Sequence, residues 1–283
     1  MKKVLSLVLA IVMCVTAFAM TACSPDPEKD WENIEKEGKF IVGMTLFEPI
    51  NYKDDKGKLI GFDTEYAEAV AKYLGIDVEF QEIDWPQKYN ELNSGAIDCI
   101  WNGFTSNSSD DGVARKDKVD FAVGYANNYQ CVVVDSTKID PATFTLASLQ
   151  GKTCAVEDGS AGADYAKTLT AADKIVNKSA QIDAFTELKS GAVDFIVVDV
   201  LLANRTCGAG DFKNCAKAYE ATDNIELYAI GCRKGSTLTA KINEATKALM
   251  NDGVNGGLST IEQLSVKYGV PLSADILALK VAK

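Results

Sequence analysis

Residues 91–100 read ELNSGAIDCI and residues 187–196 read ELKSGAVDFI, with seven of the ten positions identical. Each copy reads as a short polar helix that ends in Ser-Gly, followed by Ala, an apolar residue, Asp and an apolar run that opens a strand. Glycine just past a helix is the usual left-handed cap. A helix that feeds a buried apolar strand is half of a βαβ unit. The duplication predicts two similar α/β lobes. The segments that follow the strands, WNGFT at 101–105 and VVDV at 197–200, then lie at the carboxyl ends of two sheets, where open α/β sheets place their ligands. Two such edges facing one another form a cleft.

The flanking sequence supports repeated βα organisation. WENIEKEG at 31–38 reads as a short helix capped by Gly38, and FIVGM at 40–44 as a buried strand. A hairpin is expected with its turn near Asp55–Gly57. Asp63 is placed to cap a helix whose apolar face uses Tyr66, Ala67, Val70, Ala71 and Leu74, ended by Gly75. Residues 76–83 alternate as a strand, and Asp84-Trp85-Pro86 makes a turn. Beyond the first repeat, YQCVVV at 129–134 and KTCAVE at 152–157 read as strands, and GSAG at 159–162 leads into a helix. IELYAIGCRKG at 225–235 is expected to be one strand running back toward the first lobe. Residues 239–253 read as an amphipathic helix stopped by Gly253. The predicted order is lobe 1 at 37–128 plus 229–283, and lobe 2 at 129–228. Two crossings, near 126–132 and 226–233, would form the hinge.

Composition excludes several functions. About 260 residues remain after an exported leader, enough for two lobes or one large domain. The chain is 47% hydrophobic and 24% charged, which suits a packed core. Its formal charge of −11 becomes −13 if Lys2 and Lys3 leave with the leader, so nucleic acid is a poor partner. The absence of histidine removes the commonest zinc ligand and the base of Ser-His and Cys-His catalysis. No Walker-type phosphate loop occurs, so the chain supplies no energy of its own. Neither a cofactor nor a metal is expected. Cys99, Cys131, Cys154 and Cys232 lie in apolar runs and read as small buried hydrophobes. Cys207 and Cys215 flank GAGDFKN, a loop that a disulfide between them would close or that stands without one.

At the amino terminus, Lys2 and Lys3 precede a mainly apolar run from Val4 to Met20. MTAC at 20–23 resembles a bacterial lipoprotein box, which implies a signal peptide over 1–22 and lipidation of Cys23. An uncleaved anchor is the alternative. Residues 23–36 carry the modified cysteine and the tether, with SPDPEKD at 24–30 reading as a Pro-containing linker. The expected location is the outer face of the cytoplasmic membrane, held by the lipid.

GFDTEYAEAVAKYLG at 61–75, GAIDCIWNGFT at 95–105, RKDKVDF at 115–121, VEDGSAGADYAK at 156–167, DFIVVD at 194–199 and YAIGCRKGS at 228–236 together resemble the polar-amino-acid substrate-binding proteins of bacterial ABC importers, extracellular solute-binding protein family 3. The resemblance covers roughly 38–270. It implies a two-lobe periplasmic-binding-protein-like fold of type II, each lobe a mostly parallel sheet flanked by helices, joined by a two-strand hinge. It also implies capture of a free amino acid by hinge closure and delivery to ABC permease transmembrane subunits by a monomer.

Transferred residue by residue, the resemblance gives Arg115 the ligand carboxylate, which suits a guanidinium fork. SNSSDDGVA at 106–114 is several residues longer than usual there and bears on the aim of Arg115. Gly103 and Thr105 belong to the carboxylate and ammonium shell, and Asn102 beside them is a further ligand-binding residue. Ser160 and Ala161, at a helix start, suit an anion. Asp199 receives the ammonium, and Phe47 and Trp85 sandwich the ligand side chain. Each also has a plainer reading: a solvated arginine, turn residues after a strand, helix N-caps for Ser160 and Asp199, and core aromatics. Met44, Glu157 and Val198 flank the cleft without choosing a ligand. Asp98 and Asp194, shared by both repeats, are expected to be structural. Tyr52 and Trp101 are expected to pack.

Two other classes of protein fit parts of this sequence. Secreted cyclohexadienyl dehydratases use the same fold, with Asp199 or Glu157 as an acid; product analysis after incubation with prephenate or arogenate separates them from a binder. A sensory ligand-binding module would carry a membrane span and a signalling segment, and the sequence up to Lys283 reads as neither.

Overall fold

The computed structural model describes residues 25–281; the leader and Cys23 lie outside the described residues. Two five-stranded sheets organise the chain. The first runs Asp77–Glu82, Lys39–Met44, Cys99–Ile100, Gly231–Cys232, Asp120–Phe121. The second runs Ile175–Lys178, Cys154–Glu157, Phe195–Asp199, Gln130–Asp135, Cys215–Glu220. In each sheet the first three strands are parallel and the fourth is antiparallel to both of its neighbours. Those fourth strands are the two that the chain lays down on arriving from the other lobe. Both sheets are therefore mostly parallel, and the fold is the type II two-lobe α/β architecture.

The duplicated decapeptide does the same work in each lobe. Helices Lys88–Ser94 and Gln181–Ser190 end at Gly95 (φ 80°) and Gly191 (φ 79°), whose amides close the last turn onto Leu92 and Leu188. The left-handed geometry is what a glycine adopts without a Cβ penalty. Asp98 then exchanges bonds with the first-sheet strand: its amide donates to Ile41 O at 2.8 Å, and its Oδ2 accepts from Ile41 N at 2.9 Å. Asp194 repeats the exchange with Thr153, at 2.9 and 2.8 Å. Both acids are structural, as expected.

The lobes are joined by a short antiparallel ladder of Ala126–Asn128 against Glu226–Tyr228, with Glu226 opposite Asn128. The expected continuous strand over 225–235 is therefore two, Glu226–Tyr228 and Gly231–Cys232, because the chain leaves the hinge ladder to enter the first sheet. Helices Leu238–Leu249 and Thr260–Tyr268 return to the first lobe. There Tyr66 and Thr246 share a 2.5 Å hydrogen bond, and Lys267 reaches Glu65 at 2.7 Å.

Two local expectations are corrected, and one open question is answered. Asp63 does not cap its helix: Gly61 is the N-cap of Phe62–Leu74, and the Asp63 carboxylate is drawn inward to other donors. The helix expected to reach Gly253 stops at Leu249. Gly253 instead serves a close approach, since a Cβ there would lie 2.3 Å from Gly257 O. Cys207 and Cys215 carry free thiols, like the buried Cys99, Cys131, Cys154 and Cys232. Among the described residues no helix is long and apolar enough to cross a membrane.

Candidate functional site

A small cavity of about 20 Å³ lies between the lobes, lined by Phe47, Trp85, Asn102, Gly103, Thr105, Arg115, Glu157, Ser160, Ala161, Gln181 and Asp199. All nine residues singled out from the sequence meet there, and Glu157 and Gln181 join them. Each comes from a segment at or just beyond the carboxyl end of a strand or at the start of a helix, which is why the sheet edges gather them.

Phe47 and Trp85 are buried, each about 4% exposed. Trp85 opens a 3-10 turn and packs edge-on against Phe104, ring centres 5.6 Å apart. It thus serves as core on one side and cavity wall on the other. Tyr66 and Trp101 pack together with ring centres 4.9 Å apart, so Trp101 is core as expected. Tyr52 packs edge-on against Tyr268.

The loop after the first repeat is more committed to its own lobe than its sequence suggests. The Asn102 Nδ2 donates to Thr45 O and to Asn51 Oδ1, both at 2.8 Å, and its Oδ1 accepts from Thr45 Oγ1 at 2.7 Å. Its side-chain donors are spent on scaffold. The Gly103 amide donates to Asp63 Oδ2 at 2.8 Å, so that N–H points away from any ligand. Gly103 sits at φ 56°, and a Cβ would crowd Tyr228 and Phe47 at 2.9 and 3.0 Å. What it offers is close approach and a carbonyl. Thr105 faces Tyr228 across an isolated antiparallel bridge, whose bonds run through Phe104 O and Ser106 N. The Thr105 amide is thereby turned away from that strand.

Arg115 is 1% exposed and opens the short helix Arg115–Lys118. Its Nε and Nη2 both contact Asp110 Oδ1, at 3.0 and 2.9 Å; Nη1 donates to Thr105 O at 3.3 Å and Nη2 to Gly159 O at 3.5 Å. Asp110 belongs to the segment 106–114, which forms the small hairpin Ser109–Asp110 with Val113–Ala114. This hairpin grips Arg115, which still lines the cavity. The Asp110 carboxyl is held below its ordinary value: burial pushes it up, but Arg115, Lys88 and the Tyr89 hydroxyl more than offset that.

On the other side, Ser160 is the N-cap of Ala161–Ala166, its Oγ accepting from Ala163 N at 3.0 Å. The plainer reading thus holds for its hydroxyl, while the first-turn amide of Ala161 has no acceptor within the helix. Asp199 precedes helix Val200–Thr206 but makes no capping bond. Its carboxylate instead accepts from Gln181 Nε2, from Asn128 Nδ2 and, at 2.8 Å, from Gln130 Nε2. Burial raises the Asp199 carboxyl, and these donors oppose the rise. Glu157, at the end of Cys154–Glu157, is 5% exposed, and among the described residues its carboxylate accepts no hydrogen bond; burial and nearby Asp199 push it up to about 8. Lys88 bridges the lobes: its Nζ donates to Gly159 O at 3.1 Å and lies over the rings of Trp85 and Tyr89. Burial lowers its ammonium to about 8. Met44 is buried at the end of its strand and brings no charge to the site.

Gln181, Lys88, Asn128, Gln130 and Glu226 were missed by sequence reasoning. Gln181 is the first residue of the second repeat's helix and faces back to Asp199, whose amide donates to its Oε1 at 2.9 Å. That pairing was legible in principle, since the helix start and the strand end of one βα unit are neighbours.

Two α/β lobes, a two-strand hinge and a polar cavity between strand ends define a two-lobe binding protein. The model of the bacterial extracellular solute-binding proteins, family 3, matches residues 40–268, and the chain belongs to that family. It is 31% identical over 282 residues to the L-cystine-binding protein TcyA of Bacillus subtilis, covering 95% of this chain and 97% of that one. It is 32% identical to the arginine-binding extracellular protein ArtP of the same organism, covering 87% and 93%. Among solved structures, a histidine-bound ABC uptake transporter substrate-binding protein from Streptococcus pneumoniae superposes with a TM-score of 0.74 at 29% identity, covering 85% of this chain and 96% of that one.

Proposed function

We propose that the protein is the extracellular substrate-binding component of an ABC importer, a binder and not an enzyme, that closes on one free amino acid and hands it to permease transmembrane subunits. Arg115 takes the α-carboxylate, helped by the amides of Thr105 and Ala161. Asp199 takes the α-ammonium, and Phe47 and Trp85 flank the side chain. Gly103 contributes space and its carbonyl, Asn102 holds the loop, and Ser160 fixes the helix start. The observation that carries this reading is the convergence of a buried guanidinium from one lobe and a buried carboxylate from the other on one small cavity. The binding proteins for amino acids among its relatives support the same class of ligand.

The energetics are adequate. Micromolar affinity needs about −8 kcal/mol. A guanidinium already desolvated and oriented costs little further to order, and each aromatic contact adds roughly 0.5–2 kcal/mol. Closure follows because only the closed form touches the ligand from both lobes. The bonds from Lys88 and Arg115 to Gly159 O are contacts that an open form would lose. Glu157, buried and without a partner, favours a side chain that carries a donor, a cationic one before a neutral one. Lipidation of Cys23 would keep the monomer at the outer face of the membrane beside its permease.

A thermal-shift screen against free amino acids tests the reading, because a ligand bound only by the native state raises the midpoint. At least one polar amino acid is expected to do so, with micromolar calorimetric affinity. No response to any of them, or turnover of prephenate or arogenate, would overturn it.

A further inference from the structure

Behind the end of the cavity that holds Asp199 lies a second buried acid. Glu226 sits on the hinge strand Glu226–Tyr228 and is 5% exposed. The two carboxylates accept from the same two amide nitrogens. Asn128 Nδ2 donates to Asp199 Oδ1 and, at 2.6 Å, to Glu226 Oε2. Gln130 Nε2 donates to Asp199 Oδ1 at 2.8 Å and to the two Glu226 oxygens at 3.0 and 3.1 Å. Among the described residues no ion pair reaches either acid. The amide oxygens of Asn128 and Gln130 are buried without partners, because both side chains turn their nitrogens to the acids.

Two carboxylates that share donors, buried and without a cation, cannot both ionise cheaply. An ammonium group brought to Asp199 supplies the missing charge. We propose that Glu226 is a second acid of the ammonium end, that it and Asp199 hold one proton between them when no cation is present, and that ligand binding expels this proton to water. This rests on the amino-acid reading of the site. Charge balances: the pair goes from one negative charge to two, the ligand brings one positive charge, and one proton leaves.

The neighbours agree with this assignment. Burial first, and then Asp199, raises the Glu226 carboxyl, while Gln130, Asn128 and Arg115 pull it down less strongly. Glu157 adds a third acid on the Asp199 side. The Tyr228 hydroxyl faces both acids and is itself driven well up by burial and by their charge. Thr105 Oγ1 lies 3.4 Å from Glu226 Oε2, and Gln181 donates to the far oxygen of Asp199. Because Glu226 and Asn128 face each other across the hinge ladder, the pair also ties the crossing strands to the ligand.

Calorimetry in buffers of different ionisation enthalpy measures the protons released per ligand bound. L-Arginine, L-lysine and L-glutamine serve as probes, their side chains being silent in the range used. For whichever binds, release near one proton is expected at about pH 6, falling toward zero by about pH 8, with affinity rising about ten-fold per pH unit where release is complete. Glu226→Gln is expected to cut the release by half or more and flatten the affinity profile, whereas Glu157→Gln keeps the pair's share. Release that survives in Glu226→Gln and vanishes in Glu157→Gln overturns the assignment. Should Glu226→Gln not fold, wild type decides alone: binding at about pH 6 with no proton released overturns it. Failure of every free amino acid in the thermal-shift screen to bind would strike the amino-acid reading instead, a separate result.

Discussion

Asp110 Oδ1 stands 2.9 Å from Arg115 Nη2 and 3.0 Å from Nε, so one carboxylate oxygen holds one edge of the guanidinium. Asp110 comes from the hairpin at 109–114 and is itself held by the Tyr89 hydroxyl. The other edge of the guanidinium is left for the cavity, where Nη1 has a single long bond to Thr105 O. Asp110 therefore holds one side of the arginine.

Arg115→Ala is expected to reduce amino-acid affinity ten-fold or more and to lower unfolding stability by about 3 kcal/mol, because the half-buried Asp110 loses its nearest cation and keeps only the longer ion pair with Lys118. Asp110→Asn keeps the shape but loosens the grip, and a smaller loss of affinity, roughly three- to ten-fold, is expected. Calorimetry and urea unfolding of the two variants check both. Wild-type affinity in Arg115→Ala would remove the carboxylate assignment.

Asp199→Asn should behave differently. The ammonium loses its counter-charge, so affinity is expected to fall at least ten-fold. The midpoint of the protein without ligand should hold or rise, since one of two unpaired buried acids is neutralised. A large fall in that midpoint would show the carboxylate to be structural.

Glu157→Gln separates ligand classes. A buried acid with no partner gains most when a cation reaches it, so affinity for arginine or lysine should drop about ten-fold and that for glutamine far less. Competition calorimetry with the three ligands reads the ratio, and an unchanged ratio would remove Glu157 from the side-chain end.

Asp63 controls a pH dependence of stability. Its carboxyl is raised from 3.8 to about 7 by burial, against the bonds from Tyr125 and Gly103. A raised acid binds its proton more tightly when folded, so its stabilising contribution is complete below about pH 4 and is lost as pH rises through about 7. Asp63→Asn keeps the acceptor for Gly103 and needs no proton. Relative to wild type it should gain about 2–4 kcal/mol between pH 4 and neutrality. Parallel pH profiles of the two proteins in urea would contradict this.

Local chemistry was readable from the chain: the Gly95 and Gly191 caps, the paired Asp98 and Asp194, the strand ends that gather Phe47, Thr105 and Asp199, and the two crossings between lobes. Capping and apolar periodicity act over a few residues, and a repeated segment repeats its local fold. The breaks came where a residue chose a distant partner over a near one. Asp63 passed over its own helix for Gly103, forty positions away, and the strand expected over 225–235 divided where the chain changed sheets.

Spacing could nominate Arg115 and Asp199, because each sits at a defined place after a strand. It could not reveal that Asp110 grips the first, or that Glu226 shares its donors with the second. Asn128 joins acids 71 and 98 positions away. Those partners meet only when both crossings close the hinge ladder and bury the acids together. Burial is also what turns them from ordinary surface carboxylates into groups whose charge depends on their neighbours.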